Sequence, residues 1–350
     1  MTTLGEGGTP VIELPRLAAE LGVGALHAKL ESTNPTGSYK DRIAARSMDT
    51  ALARGARGWI TTSSGNGGTA FAAYGRRAGL PGFLCVTESI TREKLLPALA
   101  LGAEVVRVAG LGHGTGRSTE RGLFETVQEL AEEHQLYLGV TAHRFNDAGM
   151  RAVDEISREV LAAGVAPDVA YVPTGGGGLV SAVARGFCEA GAETAVVACQ
   201  PAGCAPIARC LEGRLDVPRI ERNASRISGL QLPSPPDGDL AVELVRSTGG
   251  WGVAVDDDHI LEGQRALALV EGVFVEPAAA CALAALRSDV RTGVVGRSST
   301  ALLVLTGSGL KDLATLEANL TKPPLTRVDD VRELVGQWLG RAEERGQLRA

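Results

Sequence analysis

Trp59-Ile60-Thr61-Thr62-Ser63-Ser64-Gly65-Asn66-Gly67-Gly68-Thr69 is the stretch on which the fold turns. Its first four residues are aromatic or β-branched and read as a strand; six turn formers stop it, and an alanine-rich helical run follows over 69–78. A strand passing through a short glycine turn into a helix is the first half of a parallel βαβ unit. Working outward, the rhythm persists: strand 83–86, helix 92–101, strand 105–108, a glycine-rich loop at 110–116, helix 120–133, strand 137–140 and helix 148–163. The second half repeats it, with strands at 169–172, 196–199 and 301–305, a turn at 174–178 and a helix over 179–190. The strands are continuous apolar runs, as parallel strands buried on both faces must be. The expectation is an α/β protein with open, mostly parallel twisted sheets in two domains. Residues 232–238 read as a loop, and the residues after Lys322-Pro323-Pro324 as a charged amphipathic helix.

Composition narrows the function classes. Glycine supplies 45 of 350 residues, about 13% against roughly 7% in average usage, with no collagen-like period. Lys+Arg is 35 and Asp+Glu 41, for a net charge of −6, and no basic run occurs, which argues against a nucleic-acid partner. Six cysteines form no C-x-x-C pair and five histidines form no ligand cluster, so no metal is expected and the cysteines read as buried thiols of a reducing compartment. There is no apolar run long enough to span a bilayer, and the first ten residues lack a signal-peptide pattern. The expectation is a cytoplasmic protein with no membrane partner. Only five lysines occur, Lys29, Lys40, Lys94, Lys311 and Lys322, so candidates for a catalytic amine are few.

Three glycine turns follow strands, at 63–68, 174–178 and 306–309. Ligands of open α/β sheets bind at the carboxyl ends of strands, so three such turns suggest walls of one site. Thr174-Gly175-Gly176-Gly177-Gly178 before a helix leaves N–H groups uncovered at a helix start, which suits a phosphate. It reads equally as a tight strand–helix turn. No Walker Lys-Ser/Thr follows, and the next strand ends in Gln200 where a dinucleotide site needs an acid, so a nucleotide-dependent enzyme is disfavoured. Lys40 lies in Asn34-Pro35-Thr36-Gly37-Ser38-Tyr39-Lys40-Asp41-Arg42, where Ser38 and Asp41 resemble a capping box. A helix start disfavours an ammonium charge, and Schiff-base chemistry needs a neutral amine. A plain surface lysine in a first turn is the other reading.

These motifs, with Gly5-Glu6-Gly7-Gly8-Thr9-Pro10, Glu271 to Ala278 and Thr306 to Asp312, occur in an order that resembles the tryptophan-synthase β family, the fold-type II pyridoxal-phosphate enzymes. Within that family the chain is most similar to threonine synthases, over about residues 5–315. The resemblance implies pyridoxal 5'-phosphate as cofactor, with Lys40 as its Schiff-base lysine and proton carrier. Asn66 would meet the ring hydroxyl, Thr174 and Gly175, Gly176, Gly177 and Gly178 the cofactor phosphate, and Thr306 the ring nitrogen. Ser63, Ser64 and Gly67 would hold the substrate carboxylate. Arg144 would hold a substrate phosphate, or else is a solvated side chain beside a helix start. Glu276 fits a family motif or caps the following helix.

The resemblance also implies a lyase reaction on an amino acid: loss of phosphate from a phosphohomoserine-type substrate and addition of water. The tetraglycine turn is closer to serine/threonine dehydratases, Ser308 replaces a family His, and residues 145–152 resemble cysteate synthase equally. Those alternatives stay open, as does a catalytically silent cofactor-binding module. The implied organisation is a large domain of 1–34 and 150–325, a small domain of 35–149 carrying the lysine, a tail of 326–350, and a homodimer.

Overall fold

The structure, a computed structural model, describes residues 2–344 except 64, 89, 110–116, 318, 319, 321, 322 and 324. The chain forms two compact units, Met1–Leu313 and Ala314–Ala350. In the second, the helix Val331–Glu344 occupies the expected tail. The first carries β1 (Val11–Glu13), β2 (Ala25–Leu30), β3 (Trp59–Ser63), β4 (Gly82–Thr87), β5 (Glu104–Val108), β6 (Tyr137–Leu138), β7 (Val169–Pro173), β8 (Ala195–Pro201), β9 (Gly252–Val255) and β10 (Thr300–Leu305).

Six strands form one sheet in the order β1-β2-β10-β7-β8-β9, and four form another in the order β5-β4-β3-β6. Only β1 pairs antiparallel, with β2; the other strand pairs are parallel, because helices carry the chain back between them. Both faces of the larger sheet are covered. Ala170, Val172, Leu302 and Val304 belong to one buried cluster, while their neighbours Val169, Tyr171, Leu303 and Leu305 belong to a second. That is the period of two expected when side chains alternate across a sheet, each buried Val or Leu contributing about 1.5–3 kcal/mol. The α/β reading with mostly parallel sheets holds.

Local departures have physical causes. The helix after the decisive stretch starts at Asn66, three residues early, since Gly67 and Gly68 are helical there. The expected helix 148–163 is three pieces, His143–Met150, a single turn Arg151–Asp154 and Glu155–Ala162. Asn146 is non-helical (φ −146°, ψ 57°) because its buried amide accepts from Tyr137 Oη at 2.6 Å and donates to Ser47 Oγ at 2.8 Å. The loop at 110–116 lies outside the described residues. Among the described residues no helix is long and apolar enough to cross a membrane, and no cluster could hold a metal ion.

β2 went unread because Ala25-Leu26-His27-Ala28-Lys29-Leu30 carries two polar residues and no β-branched one. Lys29 is fully buried, and its ammonium donates to Thr9 O at 2.6 Å and to Glu159 Oε2 at 2.5 Å. Arg42 completes the cluster, forking to both oxygens of Glu31 at 2.8 Å and to Glu159 at 2.6 and 2.7 Å. Together they lock β2, the helix Lys40–Ala53 and the helix Glu155–Ala162, which fixes the helix that bears Lys40. Burial works against the Glu159 charge, but the bonds from Arg42 and Lys29 win and hold its carboxyl at about 2, below its ordinary 4.5. A carboxyl lowered on folding stabilises the protein above its unfolded value and loses that contribution as pH falls through the folded one. Between about pH 4.5 and 2, the wild type should lose about 3 kcal/mol more than Glu159→Gln, bringing the urea midpoints of the two together.

Candidate active site

The carboxyl ends of β3, β7 and β10 open onto one cavity of about 240 Å³. Lys40, Ser63, Asn66, Gly67, Thr174 and Thr306 all line it, as do Gly175 to Gly178. Residues far apart in sequence therefore meet as expected. Ser64 lies outside the described residues.

Lys40 is the first residue of the helix Lys40–Ala53. The turn before it is pinned to the end of β10: Tyr39 N–H donates to Thr306 O at 3.1 Å, and Ser308 N–H to Gly37 O at 2.9 Å. The expected Ser38–Asp41 capping pair does not form. Ser38 instead bridges to Gly307 through its backbone, and the Asp41 carboxylate turns back to accept from Thr36 N–H at 2.6 Å and from the Thr36 hydroxyl. Burial raises the Asp41 carboxyl to about 6, against those bonds. The Lys40 ammonium donates to Thr141 Oγ1 at 2.9 Å and lies 4.5 Å from the centre of the Tyr39 ring.

At the second wall, Ser63 Oγ accepts from Gly65 N–H at 3.2 Å and Gly68 N–H at 3.1 Å, capping the helix Asn66–Ala78 from the strand end. The third wall is the glycine turn before the helix Gly178–Glu189. Thr174 Oγ1 donates to Val172 O at 2.8 Å, and the residue lines the cavity.

Two charged residues that sequence reading named without a part in the site converge here. Lys94, in the helix Arg92–Ala100, is buried and lines the cavity. Its stem crosses Gly65 so closely that a Cβ there would come within 3.1 Å of Lys94 Cγ. Its ammonium donates to Ser228 Oγ at 3.3 Å and lies 3.6 Å from Glu276 Oε2. Glu276 stands at the start of the helix Pro277–Thr292 but makes no side-chain cap. Its carboxylate accepts from Asn66 Nδ2 at 2.8 and 3.0 Å, passing over Gly307 to do so. The scarcity of lysine, and the place of Lys94 just past β4, were the signals available for it. Lys311 is a third buried amine, its Nζ without a hydrogen-bond partner, and burial lowers its pKa against the pull of Glu276 and Asp41.

Arg144 lies apart from these residues. It is exposed, its guanidinium lies 5.5 Å from the Phe145 ring centre, and it does not line the cavity. Asp237 accepts from the N–H groups of His143 at 2.7 Å and Arg144 at 3.1 Å, which turns this helix start inward and its Arg144 side chain outward.

Gly307 is where the site has least room. A Cβ there would lie 2.7 Å from Glu276 Cδ and 3.2 Å from Asn66 Nδ2. Gly307→Ala should push Glu276 off Asn66 and leave buried polar groups unpaired, at about 2–4 kcal/mol. Thermal unfolding should show a clear loss, and a crystal structure of the variant should show the Asn66–Glu276 bonds broken.

Comparison with known proteins agrees with this geometry. The family described as "Pyridoxal-phosphate dependent enzyme" matches residues 2–307. The threonine synthase of Halalkalibacterium halodurans is 33% identical over 335 residues, covering 94% of this chain and 90% of that protein. That of Methanosarcina acetivorans is 31% identical over 354 residues, covering 95% and 82%. Among solved structures, that of O-ureido-L-serine synthase matches with a TM-score of 0.73 at 26% identity, covering 91% of this chain and 95% of that one. The chain belongs to the fold-type II family of pyridoxal-phosphate-dependent enzymes.

Proposed function

We propose that this enzyme is a threonine synthase-like lyase: it removes phosphate from a phosphorylated amino acid of the phosphohomoserine type and adds water. The observation that carries the reading is a buried ammonium, Lys94, lining the same cavity as the half-buried Lys40. Its resident counter-ion, Glu276 Oε2, lies 3.6 Å away, beyond hydrogen-bond length, so a leaving phosphate that entered the cavity would compete for this ammonium.

The residues present suit pyridoxal phosphate. The glycine turn is walled by backbone: a Cβ at Gly175 would lie 2.8 Å from Gly229 O, and one at Gly177 2.6 Å from Asp237 O. With no side chains of their own, Gly175 to Gly178 would leave their N–H groups open to hold the cofactor phosphate at the helix start, beside Thr174. Lys40 would bind the cofactor aldehyde carbon, Asn66 would meet the ring hydroxyl, and Thr306 would face the ring nitrogen. When bound, that cofactor supplies an electron sink for the substrate α-carbon. Thr306 offers a neutral hydroxyl, which stabilises a protonated ring nitrogen less than a carboxylate would.

The protein's own groups do the remainder. Ser63 and Gly67, at the start of the helix Asn66–Ala78, would orient the substrate carboxylate. The Lys40 amine, within reach of Thr141 Oγ1, would take the α proton and return it. Lys94 would leave Glu276 to hold the departing phosphate. Arg144 stays a candidate phosphate contact only if its side chain turns inward. The same reading carries the division into 1–34 with 150–325, 35–149 and 326–350, a cytoplasmic location and a homodimer; sedimentation checks the last.

Borohydride should fix a pyridoxyl group on Lys40, and Lys40→Ala should abolish that label. Phosphate release should be fastest from phosphohomoserine when it is compared with phosphoserine, phosphothreonine, serine and threonine. Ammonia release from serine or threonine, with no phosphate released from any phosphorylated amino acid, would overturn the reading in favour of a dehydratase. Lys94→Met should raise KM for the phosphorylated substrate about 10- to 100-fold, the loss of one charge-assisted hydrogen bond.

A further inference from the structure

Asp237 sits where three helices begin. It is buried and lies at the end of the 232–238 loop. Its carboxylate takes the first N–H groups of the helix His143–Met150, whose preceding residue Ala142 supplies no cap. One oxygen also lies against Gly178, the first residue of the helix Gly178–Glu189, where a Cβ would come within 2.8 Å of it. Its own carbonyl accepts from Ala241 at 2.9 Å, opening the helix Gly238–Ser247, and its N–H donates to Gly176 O at 3.0 Å. A single residue thus grips the glycine cradle from one side and the corner Thr141-Ala142-His143 from the other. That corner carries the hydroxyl that accepts from the Lys40 amine.

A carboxylate at this point shares its helix start with the seat of a phosphate. Helix starts favour one anion; a second, a few ångströms away in a buried place, repels it. The cheapest relief is to neutralise the carboxylate, and burial already raises the Asp237 carboxyl above the ordinary range, against its two N–H bonds and the attraction of His143 and Lys40. These are the charged groups that face it. The His143 ring is itself held between Asp147 Oδ1 at 2.7 Å and Arg185 at 3.3 Å.

We propose that Asp237 is a positioning residue that joins the glycine cradle to the corner holding the Lys40 amine, and that it takes up a proton when the cofactor phosphate enters the cradle. The proton comes from solvent, and Asp237 makes no bond other than the acid O–H. The proposal rests on the assignment of the cradle to the cofactor phosphate. It makes cofactor retention pH-dependent through a residue that does not line the cavity.

The test is equilibrium binding of pyridoxal phosphate, and of pyridoxal without its phosphate, to the full-length chain and to Asp237→Asn between pH 6 and 8. Asp237→Asn should bind pyridoxal phosphate about tenfold tighter than wild type at pH 8, one pKa unit of repulsion relieved, and the advantage should shrink as the pH is lowered. Pyridoxal should show no such difference, because any effect relayed through Lys40 alone moves both ligands alike. Parallel pH profiles for the two proteins would overturn the proposal, as would the same shift with pyridoxal. Should wild type bind pyridoxal phosphate no tighter than pyridoxal, the cradle assignment itself fails, a separate outcome. Where Asp237→Asn does not fold, wild-type calorimetry in two buffers decides, run with pyridoxal phosphate and with pyridoxal: more protons taken up with pyridoxal phosphate supports the proposal, and equal exchange with the two ligands overturns it.

Discussion

The turn after β10 is the point on which the site depends. Thr306 to Gly309 is held from both sides by backbone hydrogen bonds. Tyr39 and Gly37 clasp it on the side that carries Lys40. On the other side Glu276 N–H donates to Gly307 O at 3.0 Å, and Gly309 N–H to Phe274 O at 3.2 Å. None of these segments is a regular strand beyond β10, yet they pair as one, with isolated bridges at Ser38–Gly307 and Val275–Ser308. Buried backbone groups must find partners, and here finding them brings Lys40, Thr306 and Glu276 onto one rigid frame. β10 lies inside the larger sheet between β2 and β7, so the frame is anchored in the core.

Charge follows from that frame. Each of the four described lysines is buried or half-buried, and each has a distinct setting. Lys29 is neutralised by Glu159, Lys94 faces Glu276, Lys40 leans on Thr141, and Lys311 has no hydrogen-bond partner. The described lysines all sit inside the fold, alongside one buried arginine, Arg42. The chemistry fits, since an ammonium can lose its charge when desolvated and a guanidinium cannot. Two of the glycine turns first read as ligand walls have a second role. Gly65 and Gly307 let Lys94 and Glu276 cross them and meet beside Asn66.

What could be read from sequence was what is local. Strands buried on both faces must be apolar throughout, so β3, β4, β7, β8 and β10 were legible, as were the glycine turns at their ends. β1, β2 and β9 were not. β2 hides a lysine whose partner Glu159 is 130 residues away, and β9 is only four residues. The site divides the same way. Lys40, Asn66, Thr306 and the tetraglycine turn are local motifs and line the cavity. Lys94, Thr141, Glu276 and Asp237 act through partners 101 residues away for Lys40–Thr141, 210 for Asn66–Glu276 and 94 for His143–Asp237. No window along one chain contains such a pair. Between its two readings, a phosphate contact or a solvated side chain, the sequence around Arg144 could not choose, since its helix start is held by a carboxylate 93 residues away.

The two anion seats of the proposed reaction are built from different materials, and their lifetimes explain it. The cofactor phosphate stays through many turnovers, and its proposed cradle is backbone N–H and a helix start, donors that cannot move and need no counter-charge. The leaving phosphate arrives and departs in each turnover. Its proposed receptor is a flexible lysine side chain with a resident carboxylate 3.6 Å away. When the phosphate goes, Glu276 takes the ammonium back, so the buried cation need never be left bare, which inside a protein would cost several kcal/mol. A fixed arginine fork would bind phosphate more tightly and release it more slowly. On this argument the Lys94–Glu276 pair is the part of the site suited to product release.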